Sequence, residues 1–184
     1  ITRTCMYCRG MWVGGYIMEE VLITEEMKRK ANKKAQELGR LNNSITKGQG
    51  NLAGFLGEEM VASYLNSNVD NTYEYDLIIG NNKKIDVKTK RTTVKPRPNY
   101  DCSVAAFNIK QKCDAYVFCR ILNDMSRGWI LGYKNKKDYF KESRFMKKNQ
   151  IDPANNFKVK ADCYNLAIED LDSITYISSE LQWI

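Results

Sequence analysis

The stretch Tyr75-Asp76-Leu77-Ile78-Ile79-Gly80-Asn81-Asn82-Lys83-Lys84-Ile85-Asp86-Val87-Lys88-Thr89-Lys90 decides the fold. Two strand-like runs, 72–79 and 84–91, flank Gly80-Asn81-Asn82, a strong hairpin-turn signal. Alternate side chains of a strand share a face, so Asp86, Lys88 and Lys90 point one way and Ile85 and Val87 the other, toward a core. On the preceding strand Tyr75, Leu77 and Ile79 form the apolar face and Asp76 lies opposite. If the hairpin loop holds an odd number of residues, such as Gly80 to Asn82, Asp76 stands across from Asp86. Two directly opposed carboxylates repel, and neither is easily buried in charged form, so the pair invites a divalent cation. Lys88, one pleat further, adds a positive charge beside them.

Outward from the hairpin, the spacing predicts a helix from Thr24, its N-cap, to about Leu41, with Glu25 and Glu26 in the first turn. Asn42-Asn43-Ser44 and Lys47-Gly48-Gln49-Gly50 break it, and a second helix runs over 52–65. At about 100° per residue, Glu58 falls in the middle of an arc with Gly54, Phe55, Val61, Ala62 and Leu65, so it faces the protein rather than solvent. An acid on a buried stripe needs a partner, and Glu58 is expected to project toward the Asp76–Asp86 edge. Further strands are expected at 102–107, 115–122 and 128–133, a basic helix at 136–146 and a late strand at 161–168. The order implies an α/β fold, a mixed β-sheet core flanked by helices.

The chain of 184 residues is long enough to bury one core, and 43% hydrophobic residues exclude wholesale disorder. Residues 23–184 are read as a single domain with its core at about 50–135, and residues 1–22 as an uncertain N-terminal extension, Met18 being a plausible start. The apolar run Met11 to Met18 is too short to span a bilayer, which takes roughly 20 residues, so no membrane partner is expected. There is no histidine, which excludes Ser-His-Asp and Cys-His catalysis, HNH-type nucleases and every His-containing zinc site. Cys5 and Cys8 form one close pair, but the other cysteines are scattered; no zinc is expected, and unpaired thiols suit a reducing, cytoplasmic setting. Charge is blocked along the chain: residues 49–82 carry five acids and no base, residues 83–112 nine bases and two acids. An acidic block between basic ones is the pattern of a cation site within an anion-binding surface; solvated helix faces are the bland alternative.

The arrangement resembles the PD-(D/E)XK, or restriction-endonuclease-like, nuclease superfamily over roughly residues 50–122. The resemblance rests on Asp76 as the first acid, on Asp86-Val87-Lys88 as the (D/E)XK motif, and on Glu58 in Gly54-Phe55-Leu56-Gly57-Glu58 as the helical glutamate. Tyr75 replaces the proline. Gln111 and Tyr116 are one residue too far apart for a Gln-x-x-x-Tyr motif.

The resemblance implies a restriction-endonuclease-like fold and a metal-dependent nuclease that hydrolyses DNA phosphodiester bonds, with Glu58, Asp76, Asp86 and Lys88 catalytic. Mg²⁺, with Mn²⁺ as substitute, takes oxygen ligands, here Asp76, Asp86, the Val87 carbonyl and Glu58. Lys90, Arg91, Lys95 and Arg97 continue from the motif strand as phosphate contacts, an exposed basic strand end being the alternative. Gln111 is added to them, with a capping or turn role as its alternative. DNA is the expected partner, and double-strand cutting would suit a two-fold homodimer. Length and composition would suit a phage or mobile-element enzyme. The competing expectation is a catalytically inactive nuclease-fold protein that binds nucleic acid.

Overall fold

The computed structural model describes residues 11–13, 16–38, 49–70, 72–153 and 156–177. In chain order these form β1 (Met11–Val13), β2 (Tyr16–Leu22), α1 (Glu25–Leu38), α2 (Gln49–Tyr64), β3 (Leu77–Ile79), β4 (Lys83–Thr92), β5 (Asp101–Ala105), β6 (Ala115–Leu122), β7 (Arg127–Asn135), α3 (Lys136–Glu142), β8 (Arg144–Met146), β9 (Ile151–Asp152), β10 (Phe157–Lys158) and β11 (Cys163–Ala167). The fold is mixed α/β. A six-stranded mixed sheet has the order β1-β2-β7-β6-β4-β3; β5-β11-β8 form a second sheet and β10-β9 a short ribbon.

The β3–β4 hairpin turns through Gly80, Asn81 and Asn82, with Gly80 at φ +49° and Asn82 at φ +65°. Both values lie in the left-handed region that Gly and Asn tolerate best. Leu77 pairs with Ile85 and Ile79 with Lys83, so the register brings Asp76 opposite Asp86 as the loop length requires. β4 then pairs in parallel with β6 from Ile85↔Ala115 to Thr92↔Leu122. A parallel pair needs a long crossover, and β5 with a 3-10 turn at Ala106–Lys110 occupies it.

Both faces of the main sheet are covered. On one face Leu77, Ile85, Val117 and Ile130 pack with Leu56, Met60 and Val61 of α2 and with Met27 and Ala31 of α1. On the other, Tyr116, Phe118, Trp129 and Leu131 meet Cys102, Val104 and Leu166 of the second sheet and Tyr139 of α3. Burying each large apolar side chain contributes about 1.5–3 kcal/mol. Thr24 caps α1, its Oγ1 accepting from the Met27 N–H at 3.2 Å.

Several expectations change. The run 72–79 is a strand only over Leu77–Ile79, because Thr72 Oγ1 accepts the Tyr75 N–H at 3.0 Å and holds a turn there. Tyr75 joins the core on the opposite face from Leu77 and Ile79. The basic helix ends at Glu142, and Arg144–Met146 pairs with β11 instead. Residues 19–22 pair with β7, and Met18 and Val21 are buried. Cys102, Cys113, Cys119 and Cys163 are free thiols; Cys5, Cys8 and the break at 42–48 lie outside the described residues. Among the described residues no helix is long and apolar enough to cross a membrane.

Candidate active site

β3 begins one residue after Asp76, and Asp76 extends the ladder beyond the strand. Its backbone N–H donates to the Ile85 carbonyl at 2.8 Å, while its Oδ2 accepts from the Val87 N–H at 2.7 Å. Asp86 follows on β4, and α2 lies across the same edge with Glu58 turned inward, only 7% exposed. Glu58, Asp76 and Asp86 line one cavity of about 460 Å³ together with Lys34, Phe55 and Gln111.

Two cations partly offset the three acids. Lys34 Nζ lies 2.5 Å from Glu58 Oε2 and over the Phe55 ring at 4.8 Å from its centroid. Lys88 Nζ lies 2.5 Å from Asp86 Oδ2. Gln111 ties this pair together: its Nε2 donates to Asp86 Oδ1 at 2.9 Å, and its Oε1 accepts from Lys88 Nζ at 3.2 Å. Lys136 Nζ donates to the Gln111 carbonyl. Asp86 Oδ2 is buried and, apart from the short approach of Lys88, has no well-directed hydrogen-bond donor.

The acids pay a desolvation cost here. Burial pushes the Asp76 carboxyl up to about 8, and the Glu58 and Asp86 charges push it the same way. Burial also raises Glu58 against the opposing pull of Lys34, and Asp86 against that of Lys88 and Gln111. The donor set is entirely oxygen and nitrogen from carboxylates, an amide and two amines. Its carboxylates suit a hard divalent cation. Among the described residues no group of three acidic or cysteine side chains stands close enough to form a ready-made metal cage.

The expected residues distribute unevenly around this cavity. Glu58, Asp76, Asp86, Lys88 and Gln111 converge, and Val87 joins through its N–H. Gln111 is half-buried inside the network of acids. Lys90 is half-buried and bonded inward: its Nζ donates to Ser103 Oγ at 2.7 Å and to the Asp101 carbonyl at 3.1 Å. The second sheet covers that face of β4. Arg91 is exposed, with Nη2 donating to the Asn123 carbonyl at 3.0 Å. Arg97 is exposed and Lys95 half-buried in the following loop. Lys34 and Lys136 were missed. For Lys34 a signal existed, since it follows Met27 and Ala31 at the helical spacing of a buried stripe.

No protein-family model matches the chain, and a comparison with curated proteins finds no match either.

Proposed function

We propose that the chain is a metal-dependent nuclease that hydrolyses DNA phosphodiester bonds, on a restriction-endonuclease-like fold, with Mg²⁺ or Mn²⁺ held at the β3–β4 edge. The observation that carries this reading is the convergence of Glu58, Asp76 and Asp86 on one cavity with Lys88 2.5 Å from Asp86. Lys34 and Lys88 offset Glu58 and Asp86, while Asp76 is held protonated up to about 8 without a metal; a divalent cation would let all three carboxylates ionise together.

Asp76 and Asp86 would supply carboxylate oxygens to the cation and Glu58 a third. When bound, the ion acidifies a water and neutralises charge building on the phosphoryl oxygens. Asp76 meanwhile keeps β4 in place through the Val87 N–H. Gln111 holds Asp86 and Lys88 in fixed relation, so the ammonium is aimed before substrate arrives. Lys88 presents that positive charge to the attacking water or to the phosphoryl oxygens. Histidine has no part in this scheme, in keeping with a chain that has none.

One observation favours a second reading, an inactive nuclease-fold protein that binds nucleic acid. Lys34 and Lys88 already pair with Glu58 and Asp86, so internal amines can stand in for a cation. Incubation with plasmid, linear duplex, single-stranded and branched DNA in Mg²⁺ or Mn²⁺ separates the two. The nuclease reading expects cleavage that Asp86→Asn and Lys88→Ala both abolish. Tight binding without cleavage of any substrate would favour the second.

A further inference from the structure

Further along the same face of β4, a second cleft of about 210 Å³ opens between the main sheet and β5. Lys90 and Arg120 stand side by side in it, as directly paired residues of β4 and β6. Two like charges so placed repel, and burial makes each costlier. Their partners are neutral. Besides the two bonds of Lys90 already described, Arg120 Nη2 donates to the Asp101 carbonyl at 3.1 Å, and the guanidinium lies 5.1 Å from the Tyr100 ring centroid. Arg120 Nε is buried with no acceptor. Neither cation has a carboxylate within ion-pair distance among the described residues. The Asp101 carboxylate is turned away to Arg144, 3.2 Å from its Nη2. Burial and the neighbouring guanidinium both hold the Lys90 amine below its ordinary pKa.

Paired cations with an unused donor and no counter-charge are what an oxyanion would complete. The volume suffices: four oxygens take roughly the space of four waters, about 120 Å³ at about 30 Å³ each. An Arg fork and a Lys together can hold a tetrahedral phosphate by several of its oxygens. The recess between two sheets favours a monoester. A terminal phosphate enters end-on with three free oxygens, whereas an internal phosphodiester must lead two ester arms back out. Lys90 lies four residues from Asp86, about 13 Å along the strand, so one strand could span both sites.

We propose that the Lys90–Arg120 cleft is a phosphate pocket, taking either free inorganic phosphate or the terminal phosphate of a nucleic-acid strand. The strand-end form rests on the nuclease reading; anion binding does not.

The test uses the full chain in EDTA, so that no cleavage intervenes. Inorganic phosphate is titrated while the melting temperature is followed. Fluorescence anisotropy then compares 5′-phosphorylated, 3′-phosphorylated and hydroxyl-ended single strands of one sequence. Phosphate is expected to raise the melting temperature, and one phosphorylated end to bind about tenfold or more tighter than hydroxyl, the worth of a charge-assisted contact. Lys90→Met, which keeps side-chain length, and Arg120→Gln should abolish both effects. Asp86→Asn should leave both intact, so loss of cleavage in that variant bears on the nuclease reading alone. A response to inorganic phosphate without end preference supports the pocket and assigns it to the free anion. The proposal is overturned if phosphate has no effect and all three strands bind alike. It is equally overturned if folded Lys90→Met and Arg120→Gln proteins respond as the native chain does.

Discussion

The Asp76 carboxylate accepts the Val87 N–H at 2.7 Å, so one side chain both closes the sheet ladder and faces the acid cavity. Its two duties separate by mutation. Asp76→Asn keeps an oxygen acceptor and removes the charge, so it should fold as well as the native chain while losing cation binding. Asp76→Ala also strands the Val87 N–H, costing about 1–3 kcal/mol. Urea denaturation of both variants measures the difference.

Burial raises the Asp76 carboxyl from 3.8 to about 8. Between those values the folded chain holds a proton that the unfolded chain has released. By linkage, this carboxyl's contribution to stability is present below about pH 4 and is lost as pH rises toward 8. Urea midpoints of the metal-free protein across that window should fall relative to those of Asp76→Asn. The gap should narrow when Mg²⁺ is added at pH 8.

Lys34 sits 2.5 Å from Glu58, with side chains 19% and 10% exposed. Removing the amine leaves the buried Glu58 carboxylate without its nearest counter-charge. Lys34→Met should cost roughly 1–3 kcal/mol at neutral pH, below the cost for a fully buried pair because water still reaches Lys34. The loss should shrink in acid, where Glu58 takes up a proton, and Glu58→Gln in the same background should recover much of it. Thermal denaturation at two pH values measures both.

Gly57 fixes how closely α2 approaches β4. A Cβ there would lie 1.9 Å from Thr89 Oγ1 and 3.0 Å from Thr89 Cβ. Gly57→Ala must push the helix, and the adjacent Glu58, away from the sheet, costing about 1–3 kcal/mol. Thr89→Ala in the same chain removes the nearer atom, and with it a buried hydroxyl that lacks a partner. Chemical denaturation should show that the double variant recovers part of the loss.

Local chemistry made the centre of this site legible. Gly80-Asn81-Asn82 specifies a hairpin whose odd loop sets the register, and helical spacing turns Glu58 inward. What covers each face was not legible, because alternation assigns Lys90 to a face but says nothing of a second sheet contributed by residues 101–105, 144–146 and 163–167. Long-range pairing also overrode local pattern at Arg144–Met146, where β11 captures what reads as the end of a basic helix. The run Tyr16–Leu22 lacks clean alternation and gains its strand from β1 and, over Glu19–Leu22, from β7.

The central claim is that Glu58, Asp76 and Asp86 jointly hold one divalent cation. Calorimetric titration of the full chain with Mn²⁺ measures it most directly, alongside Asp76→Asn and Asp86→Asn. Saturable binding at one site per chain, abolished by either substitution, is the expected result. Absence of binding, or binding that both variants keep unchanged, would contradict it.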